Sequence, residues 1–358
     1  MGSVFGENVK VSLFGQSHSV AVGVVIDGLK AGHPIDFDLL GDFLERRAPG
    51  RNEYSTQRFE ADVPEFLSGI TDGKTNGAPV CAVIKNLDAQ PAGYKGVAGK
   101  PRPGHADYTA HVKYGGQNDA SGGGHLSGRL TASLCVAGGI CMQILEREGV
   151  VIAAHAAGIG GIGDTMFDTI AVDVETLRAL RFAEFPTISP DCGRKMREAI
   201  ENARRDGDSV GGVVECAAVG VPAGLGDPVF GGVENRIACI VFGIPAVRGI
   251  EFGNGFASAL MRGSVNNDAF FIDGGEVKTR TNNHGGVLGG ITSGMPLIFR
   301  VAIKPTPSIA QGQDSVDLSV LKDIKLRIDG RHDPCIVPRA VPCIEAATAI
   351  ALLDMMDK

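Results

Sequence analysis

The sequence lacks the excess of basic residues that binding to nucleic acid or to an anionic membrane requires. Its 358 residues include 34 Lys and Arg against 41 Asp and Glu, which gives a net charge of −7 at pH 7. Proteins that bind polyanionic surfaces present a basic face, so we expect neither nucleic acid nor a membrane as a partner. Any anion that the chain binds must be held by a local group of cations.

The chain also lacks the patterns typical of metal-binding, disulfide-bonded and membrane proteins. Its eight cysteines include no C-x-x-C and no Cys/His pairing at zinc-like spacing, so we predict no metal site and expect buried, reduced thiols. No apolar run reaches about 18 residues, and the first residues do not resemble a secretory signal. We therefore expect a cytoplasmic protein.

Glycine, by contrast, is abundant. The chain has 51 glycines and only 18 prolines, and this glycine content is about twice the usual share of roughly 7%. Many backbone positions must therefore adopt positive φ or approach a ligand closely. No repeat, low-complexity linker or clear domain boundary interrupts the chain, so we predict one domain over residues 1–358.

Hydrophobic periodicity predicts the main elements of an α/β or α+β fold. The apolar stretch 129–148 is expected to form a central helix. The other predicted elements are strands at 9–13, 21–29, 209–221 and 297–303, a helix capped by Asp36 and ending at Arg47, a charged surface helix at 193–206 and a closing amphipathic helix at 340–357.

Residues 102–129 are the most informative stretch. They read RPGHADYTAHVKYGGQNDASGGGHLSGR and place two arginines, three histidines and a lysine among glycines. Glycine lets the backbone approach a ligand, Arg and Lys supply charge for phosphate or carboxylate, and His transfers protons near neutral pH. This combination predicts an enzyme that acts on a small polyanion.

The same combination of charge with glycine or a turn recurs elsewhere, which favours a site over separate structural roles. A cation and two hydroxyls also follow the strand at 297–303, where Lys304 to Ser308 could hold a phosphate or the polar edge of a flavin. The other clusters are Ser17-His18, the group Arg46, Arg47, Arg51 and Arg58, and GRHDP at 330–334.

Two alternatives come from other classes of protein. Gly158-x-Gly160-x-x-Gly163 matches a dinucleotide fingerprint and would indicate an NAD(P)-dependent reductase, but the residues that follow favour a strand where a Rossmann unit requires a helix. We therefore interpret these glycines as a turn. A non-catalytic anion-binding module would explain the arginines but leaves Ser17-His18 and His332-Asp333 without a role.

Eight segments together resemble the chorismate synthase family. They occur in order over essentially the whole chain, and RPGHADY with GRHDPC is the most specific pair. The segments are FGQSH (14–18), RRAPGRNEYSTQR (46–58), RPGHADY (102–108), GGGHLSGRLTA (122–132), GVPAGLGDPVF (220–230), NNHGGVLGGITSG (282–294), KPTPSI (304–309) and GRHDPCIVPRAVP (330–342).

The resemblance implies an α+β fold, a β-α-β sandwich with helices between antiparallel sheets, and a homotetramer. It implies a lyase of the shikimate pathway that converts 5-enolpyruvylshikimate 3-phosphate into chorismate by 1,4-anti elimination of phosphate. The resemblance further implies a requirement for reduced FMN, without net redox change. Whether NADPH reduces the flavin on this protein or an external flavin reductase is needed stays open.

The resemblance also implies roles for individual residues. His18, with Ser17 beside it, would protonate the leaving phosphate, His105 would lie near the flavin, and Asp333 would accept the flavin N5 proton. The implied substrate-binding residues are Arg47, Arg51, Arg129 and Arg339. The implied flavin-binding residues are His125, Leu126, Ser127, Ala246, Gly289, Lys304, Pro305, Thr306, Pro307, Ser308 and Arg331.

The chain departs from the family pattern at several positions, and three of these residues bear on ligand binding. His125 and Leu126 stand where many members have Arg-Ser, so flavin contacts there are expected to come from the backbone. Glu53 stands where many members have arginine, so either Arg51 takes its place or one anion contact is lost.

Overall fold

A computed structural model describes residues 2–50, 60–87, 99–119, 121–328 and 333–356. Within these ranges, two five-stranded sheets enclose a layer of helices, and every pair of neighbouring strands is antiparallel. The fold is therefore α+β, the β-α-β sandwich that the family resemblance implied.

The strands of the described residues are mostly short. In chain order they are β1 (Val4–Phe5), β2 (Lys10–Gly15), β3 (Ala21–Asp27), β4 (Glu65–Ser68), β5 (Ile70–Thr71), β6 (Lys74–Thr75), β7 (Val80–Lys85), β8 (Val151–Ile159), β9 (Ile162–Gly163), β10 (Gly212–Val219), β11 (Val247–Phe252), β12 (Phe270–Asp273), β13 (Glu276–Thr279), β14 (Val287–Leu288), β15 (Ile291–Thr292), β16 (Leu297–Ile303), β17 (Gln313–Asp317) and β18 (Lys322–Leu326).

Two long helices form the middle layer, and shorter ones flank them. The helices are α1 (Phe37–Arg47), α2 (Asp107–Lys113), α3 (Thr131–Arg147), α4 (Val174–Leu180), α5 (Pro190–Arg205), α6 (Val233–Val241), α7 (Gly263–Asn266) and α8 (Val337–Met356). Asp36 caps α1 through its side chain, as predicted, and Ser189 caps α5.

The two large sheets lie on opposite sides of the helices. The first has the order β1-β2-β3-β7-β4, and the second has the order β11-β16-β10-β8-β9. Helix α3 packs on β3 and β7 of the first sheet, while α8 packs on β8 and β10 of the second. These two helices therefore connect the sheets through one continuous core.

Helices α3 and α8 approach each other closely and are buried almost all round. A Cβ on Gly138 of α3 would overlap Ala346 of α8, so the helix pair needs a residue without a side chain there.

The prediction of an amphipathic closing helix was wrong, because sheet and helices cover α8 on every side. The prediction that 129–148 is central was correct: Gly128–Arg147 is apolar and long enough to cross a membrane, but 89% of its most apolar window is buried in the fold.

A buried carboxylate joins α8 to its neighbours. Glu345 accepts two hydrogen bonds from the Arg46 guanidinium, at 2.6 and 2.9 Å, and a third from the Ala154 N–H at 2.8 Å. These contacts satisfy a charge that is fully buried and would otherwise be strongly destabilising. Arg46, which the sequence grouped with possible anion-binding residues, thus contacts the core helix in this structure.

The thiols agree only in part with expectation. All eight cysteines lie in the described ranges, and none of them forms a disulfide there. Five are buried as expected, but Cys81 and Cys192 are half-buried and Cys239 is exposed.

A buried histidine holds segment 164–189 against the outer face of the second sheet. His155 on β8 bonds Asp164 through Nδ1 at 3.1 Å and Glu215 on β10 through Nε2 at 3.0 Å. Carboxylates only accept hydrogen bonds, so both ring nitrogens must carry hydrogen. Burial alone would lower the pKa of His155, but the hydrogen bonds to the two carboxylates outweigh burial and raise it.

The raised pKa of His155 predicts a pH-dependent contribution to stability. The contribution is complete below the ordinary pKa of 6.5 and is lost as pH rises through the higher folded-state pKa. The difference in unfolding free energy between the parent protein and His155→Gln is therefore expected to narrow as pH rises above 6.5 and through the folded-state pKa. Urea unfolding of both proteins measures this difference, and a constant difference would show that the folded imidazole is not charged.

Candidate active site

Two adjacent glycines lie between the histidines that the sequence singled out. A Cβ on Gly122 would lie 2.6 Å from Nδ1 of His18, and a Cβ on Gly123 would lie 3.4 Å from Nε2 of His105. Both glycines have positive φ, +66° and +119°, a conformation that favours residues without a side chain. The glycine turn thus packs against Ser17 and His18, although 104 positions of the chain separate Ser17 from Ser121.

Ser17 and His18 lie in the turn between β2 and β3. The turn is closed by Ser19, whose hydroxyl accepts from the Gln16 N–H at 3.1 Å. Ser17 is buried, donates its hydroxyl hydrogen to the Ser121 carbonyl oxygen at 3.0 Å and lies 3.0 Å from His18 Nδ1. Since the one hydroxyl hydrogen goes to Ser121, Nδ1 of His18 must donate to Ser17.

His105 belongs to a compact ionic group in the RPGHADY segment. Its Nδ1 lies 2.6 Å from Asp107 Oδ1, and Arg102 donates to the same carboxylate through Nε at 2.7 Å and Nη2 at 2.8 Å. Burial alone would raise the pKa of Asp107, but hydrogen bonds from Arg102 and His105 hold it well below its usual range. Asp107 therefore stays ionised beside His105.

Arg47 and Arg129 lie together because both guanidinium groups bind the buried carboxylate of Asp62. Arg47 also donates to Thr131 Oγ1 at 3.1 Å. Burial alone would raise the pKa of Asp62, but the two positive charges outweigh burial and lower it. The Nη2 atoms of Arg47 and Arg129 also donate to the Gly128 and Lys85 carbonyl oxygens, both at 3.4 Å, so the fold holds both guanidinium groups in place.

Two residues that sequence reasoning missed link this arginine pair to its surroundings. Asn86 accepts from Arg129 Nε at 2.9 Å and donates to the Gln16 and Ser19 carbonyl oxygens, at 2.9 and 2.8 Å. Glu60 lies 3.2 Å from the Arg129 guanidinium. Asn86 thus joins Arg129 to the turn that carries His18.

Arg339 and Asp333 lie at the start of α8. Arg339 donates to Asp333 Oδ2 at 2.6 Å and to the Arg47 carbonyl oxygen at 3.0 Å. The structure thereby connects a predicted substrate anchor to the predicted carboxylate base and to the arginine pair.

The Lys304–Ser308 segment packs on the turn that precedes His105. Lys304 follows β16 directly, and its ammonium group donates to the Gly104 carbonyl oxygen. A Cβ on Gly104 would lie 3.3 Å from Pro307 Cβ. The Lys304 N–H donates to the Ala246 carbonyl oxygen at 3.0 Å, so Ala246 lies at the same place.

The three residues after the glycines have separate environments. His125 turns towards the first sheet, where Nε2 contacts Ser3 Oγ and Nδ1 contacts the Gly15 carbonyl oxygen, both at 2.8 Å. Leu126 is exposed, and the Ser127 hydroxyl accepts from the Arg129 N–H at 3.2 Å. The His125 side chain is thus hydrogen-bonded within the fold.

Gly289 lies in the β14–β15 hairpin, and no described contact joins it to the histidines or arginines. The loop is anchored by His284, which bonds Asp268 through Nδ1 and Ser293 Oγ through Nε2 at 3.0 Å. This arrangement resembles a hydrolase triad, but the Ser293 N–H donates to the Gly286 carbonyl oxygen and cannot stabilise an oxyanion. We interpret it as a structural latch for the glycine loop.

The remaining predictions have different outcomes. Arg51, Glu53 and Arg331 lie outside the described residues.

Gly158 to Gly163 form the β8–β9 hairpin, as predicted. The next helix, α4, begins only at Val174. The context that a dinucleotide-binding unit requires is therefore missing from this part of the described fold.

A methyl group at Gly122 is expected to displace the His18 ring, because it would also lie 3.1 Å from Ser17 Oγ. A shift of about 1 Å in a group that acts on the substrate slows turnover by about 10- to 10²-fold. Gly122→Ala is therefore expected to lose activity by that factor. Its circular dichroism spectrum should match that of the parent protein, which would show that the fold is retained. Gly163→Ala is the control, since nothing lies within 4 Å of a Cβ there. Equal activity of the two variants would contradict the placement of His18 against Gly122.

Known proteins resemble this chain over nearly its whole length. The family profile described as chorismate synthase matches residues 9–356. A chorismate synthase of Korarchaeum cryptofilum is 44% identical over 355 residues, which cover 99% of this chain and 97% of the relative. A chorismate synthase of Thermococcus gammatolerans is 47% identical over 349 residues, which cover 98% of this chain and 96% of the relative.

The fold leads to the same family. A solved structure described as the crystal structure of chorismate synthase superposes with a TM-score of 0.78 at 26% identity, covering 98% of this chain and 92% of that chain. With the profile and the relatives of nearly equal length, this likeness identifies the chain as a member of the chorismate synthase family.

Proposed function

We propose that this protein converts 5-enolpyruvylshikimate 3-phosphate into chorismate by 1,4-anti elimination of phosphate, with reduced FMN as cofactor and no net redox change. The observation that carries the proposal is the meeting of His18 and His105 at Gly122-Gly123, next to the cluster of Arg47 and Arg129. Two proton-transferring groups and a set of fixed cations suit a reaction that releases phosphate from a polyanion.

The arginines supply the charge for the substrate. A guanidinium stays protonated and can bind carboxylate or phosphate through two hydrogen bonds. Asp62 holds Arg47 and Arg129 in one place, so the entropic cost of assembling them is met during folding. Arg339 adds a third guanidinium, which the Arg47 carbonyl oxygen orients.

His18 is proposed to donate a proton to the departing phosphate. Because Ser17 accepts a hydrogen bond from Nδ1, the proton on that nitrogen is retained, and transfer takes place from Nε2 of the imidazolium. The product of this step is neutral His18 with hydrogen on Nδ1. Ser17 thus fixes one tautomer before and after proton transfer.

The residues assigned to FMN fit such a cofactor on two observations. Thr306 Oγ1 is buried and has no hydrogen-bond partner among the described residues, so a ligand oxygen would satisfy it. Ala246 has φ of +74°, a strained conformation for a residue with a side chain, and such strain is common where backbone meets a ligand. Lys304 supplies a cation, and burial and the charge of nearby Arg248 lower its pKa.

When bound, reduced FMN would supply an electron to the substrate and help to remove the C6 hydrogen. His105 is proposed to stabilise negative charge at the flavin ring, and Asp333 to accept a proton from the flavin N5 position. The 2.6 Å contact between Arg339 and Asp333 keeps that carboxylate beside the substrate-binding cations. Backbone groups of His125, Leu126, Ser127 and Gly289 are proposed to complete the flavin site.

We further propose that the chain acts as a cytoplasmic homotetramer whose flavin is reduced either by an external flavin reductase or, on this protein, by NADPH. Support for assembly comes from exposed apolar side chains on one stretch of the chain, where Phe256 and Leu260 are 85% and 91% exposed. Light scattering is expected to give four times the 37.2 kDa chain mass. A monomeric mass would contradict the assembly but not the activity.

An anaerobic assay tests the proposed reaction. Purified protein, chemically reduced FMN and 5-enolpyruvylshikimate 3-phosphate are expected to yield chorismate and inorganic phosphate in equal amounts. The matched control contains oxidised FMN and should give no product. A further reaction with NADPH and oxidised FMN separates intrinsic from external flavin reduction. Absence of chorismate with reduced FMN would overturn the proposal.

A further inference from the structure

A short carboxylate contact distinguishes His105 from the other histidine of the candidate site. Asp107 is the first residue of α2, and its carboxylate turns back to accept from the Arg102 backbone N–H at 3.0 Å. The same turn is closed by the His105 N–H, which donates to the Arg102 carbonyl oxygen at 3.1 Å. Local backbone geometry thus places imidazole, guanidinium and carboxylate together.

Two groups compete for Nδ1 of His105. Asp107 Oδ1 lies 2.6 Å away and can only accept, whereas Arg102 Nη2 lies 3.2 Å away and can only donate. Arg102 Nη2 also lies 2.8 Å from Asp107 Oδ1, a shorter distance than its contact with the ring. A carboxylate oxygen only 2.6 Å from an unprotonated nitrogen would bring two lone pairs together, so we infer that Nδ1 carries hydrogen towards Asp107 and that Arg102 donates to the carboxylate.

We propose that Asp107 is a positioning residue for His105: its carboxylate holds hydrogen on Nδ1 and thereby presents Nε2 at Gly123, where the flavin is expected. This inference rests on the proposed function for its catalytic meaning. It assigns no direct contact with substrate or cofactor to Asp107.

The position of Asp107 supports this role over a purely structural one. Arg102 contributes three donors to the carboxylate, from its backbone N–H, Nε and Nη2, so Asp107 is fixed without help from His105. The short contact to the ring is additional, and it leaves Nε2 on the side of the ring that faces the glycine turn. A carboxylate fixed in this way keeps hydrogen on Nδ1 both in the neutral ring and in the imidazolium, whose Nε2–H would face the flavin.

Asp107→Asn keeps the shape of the side chain but offers both an N–H and a carbonyl oxygen, so the tautomer is no longer imposed. We expect turnover to fall by about 10-fold, which is less than the loss of about 10² or more expected from removing His105 itself, because Asp107 acts only through that ring. Asp168→Asn is the control, since Asp168 is an exposed carboxylate that accepts from the Ile170 and Ala171 N–H groups at 2.8 Å. It should retain full turnover.

The experiment is a double-mutant cycle with a spectroscopic readout. Turnover is measured for the parent, Asp107→Asn, His105→Ala and the double variant, and ring ¹⁵N NMR of the parent gives the tautomer of His105, assigned by its loss in His105→Ala. We expect hydrogen on Nδ1 in the parent and no further loss from Asp107→Asn once His105 is alanine.

Three results would overturn the inference: an unprotonated Nδ1 in the parent, parental turnover in Asp107→Asn, or an undiminished effect in the His105→Ala background. If the parent itself forms no chorismate, the proposed function fails. The NMR result still decides the inference about Asp107, because it requires only the folded parent protein.

Discussion

Replacing His18 with alanine is expected to slow chorismate formation by about 10²- to 10⁴-fold, the contribution of a positioned general acid. The structure gives the physical reason, since Ser17 fixes the hydrogen on Nδ1 and leaves Nε2 for the leaving phosphate. Folding should be little affected because the turn is closed by Ser19 and Asn86 and not by the imidazole. Single-turnover kinetics with reduced FMN measures the effect.

The matched control is His111→Ala, which removes an exposed histidine from α2. It is expected to react at the parental rate. If His18→Ala also reacts at that rate, another group protonates the phosphate and the assignment is wrong.

His105→Ala is the second large effect, about 10²- to 10³-fold in turnover, which is the loss expected from removing one group that stabilises developing charge. Its cause differs from that of His18, because His105 is proposed to act at the flavin and its Nε2 faces Gly123. Removing the imidazole leaves Arg102 and Asp107 paired with each other, through contacts of 2.7 and 2.8 Å, so the turn should remain folded. The rate is measured at saturating reduced FMN, so that weaker binding does not obscure the effect.

The measurement at saturating reduced FMN can also contradict the proposed role of His105. If turnover of His105→Ala returns to the parental value at high reduced FMN, His105 contributes to binding alone. The proposed role in stabilising charge at the ring would then be wrong.

The sequence predicted where the helices and strands lie better than it predicted which other elements pack against them. Periodicity located α1 to the residue, because Asp36 caps the helix and Ala48-Pro49 ends it. It misjudged α8, because a pattern of apolar residues reports that a face is buried but not how many layers cover the helix. The second sheet and α3, both distant in sequence, cover the remaining faces of α8.

The residues of the candidate site were likewise predicted only in part from the sequence. Histidines and arginines stood out in the sequence because glycines or turns flank them, and the structure brings His18, His105, Arg47 and Arg129 into one region. Asp62 and Asn86 gave no such signal. Their importance comes from contacts with Arg129 across 67 and 43 positions of the chain, which no local pattern encodes.

Asp107 was hidden in a different way. It lies inside the recognised segment RPGHADY, where a carboxylate at the start of a helix is ordinary. Only the short contact with His105 distinguishes it from a residue that stabilises the helix terminus.

The most direct test of the central claim is the ratio of chorismate formed to electrons supplied. Under anaerobic conditions, with a limiting amount of reduced FMN and excess 5-enolpyruvylshikimate 3-phosphate, we expect many molecules of chorismate per flavin and an equal release of phosphate, with the flavin still reduced at the end. One product per flavin oxidised, or no chorismate at all, would contradict elimination without net redox change.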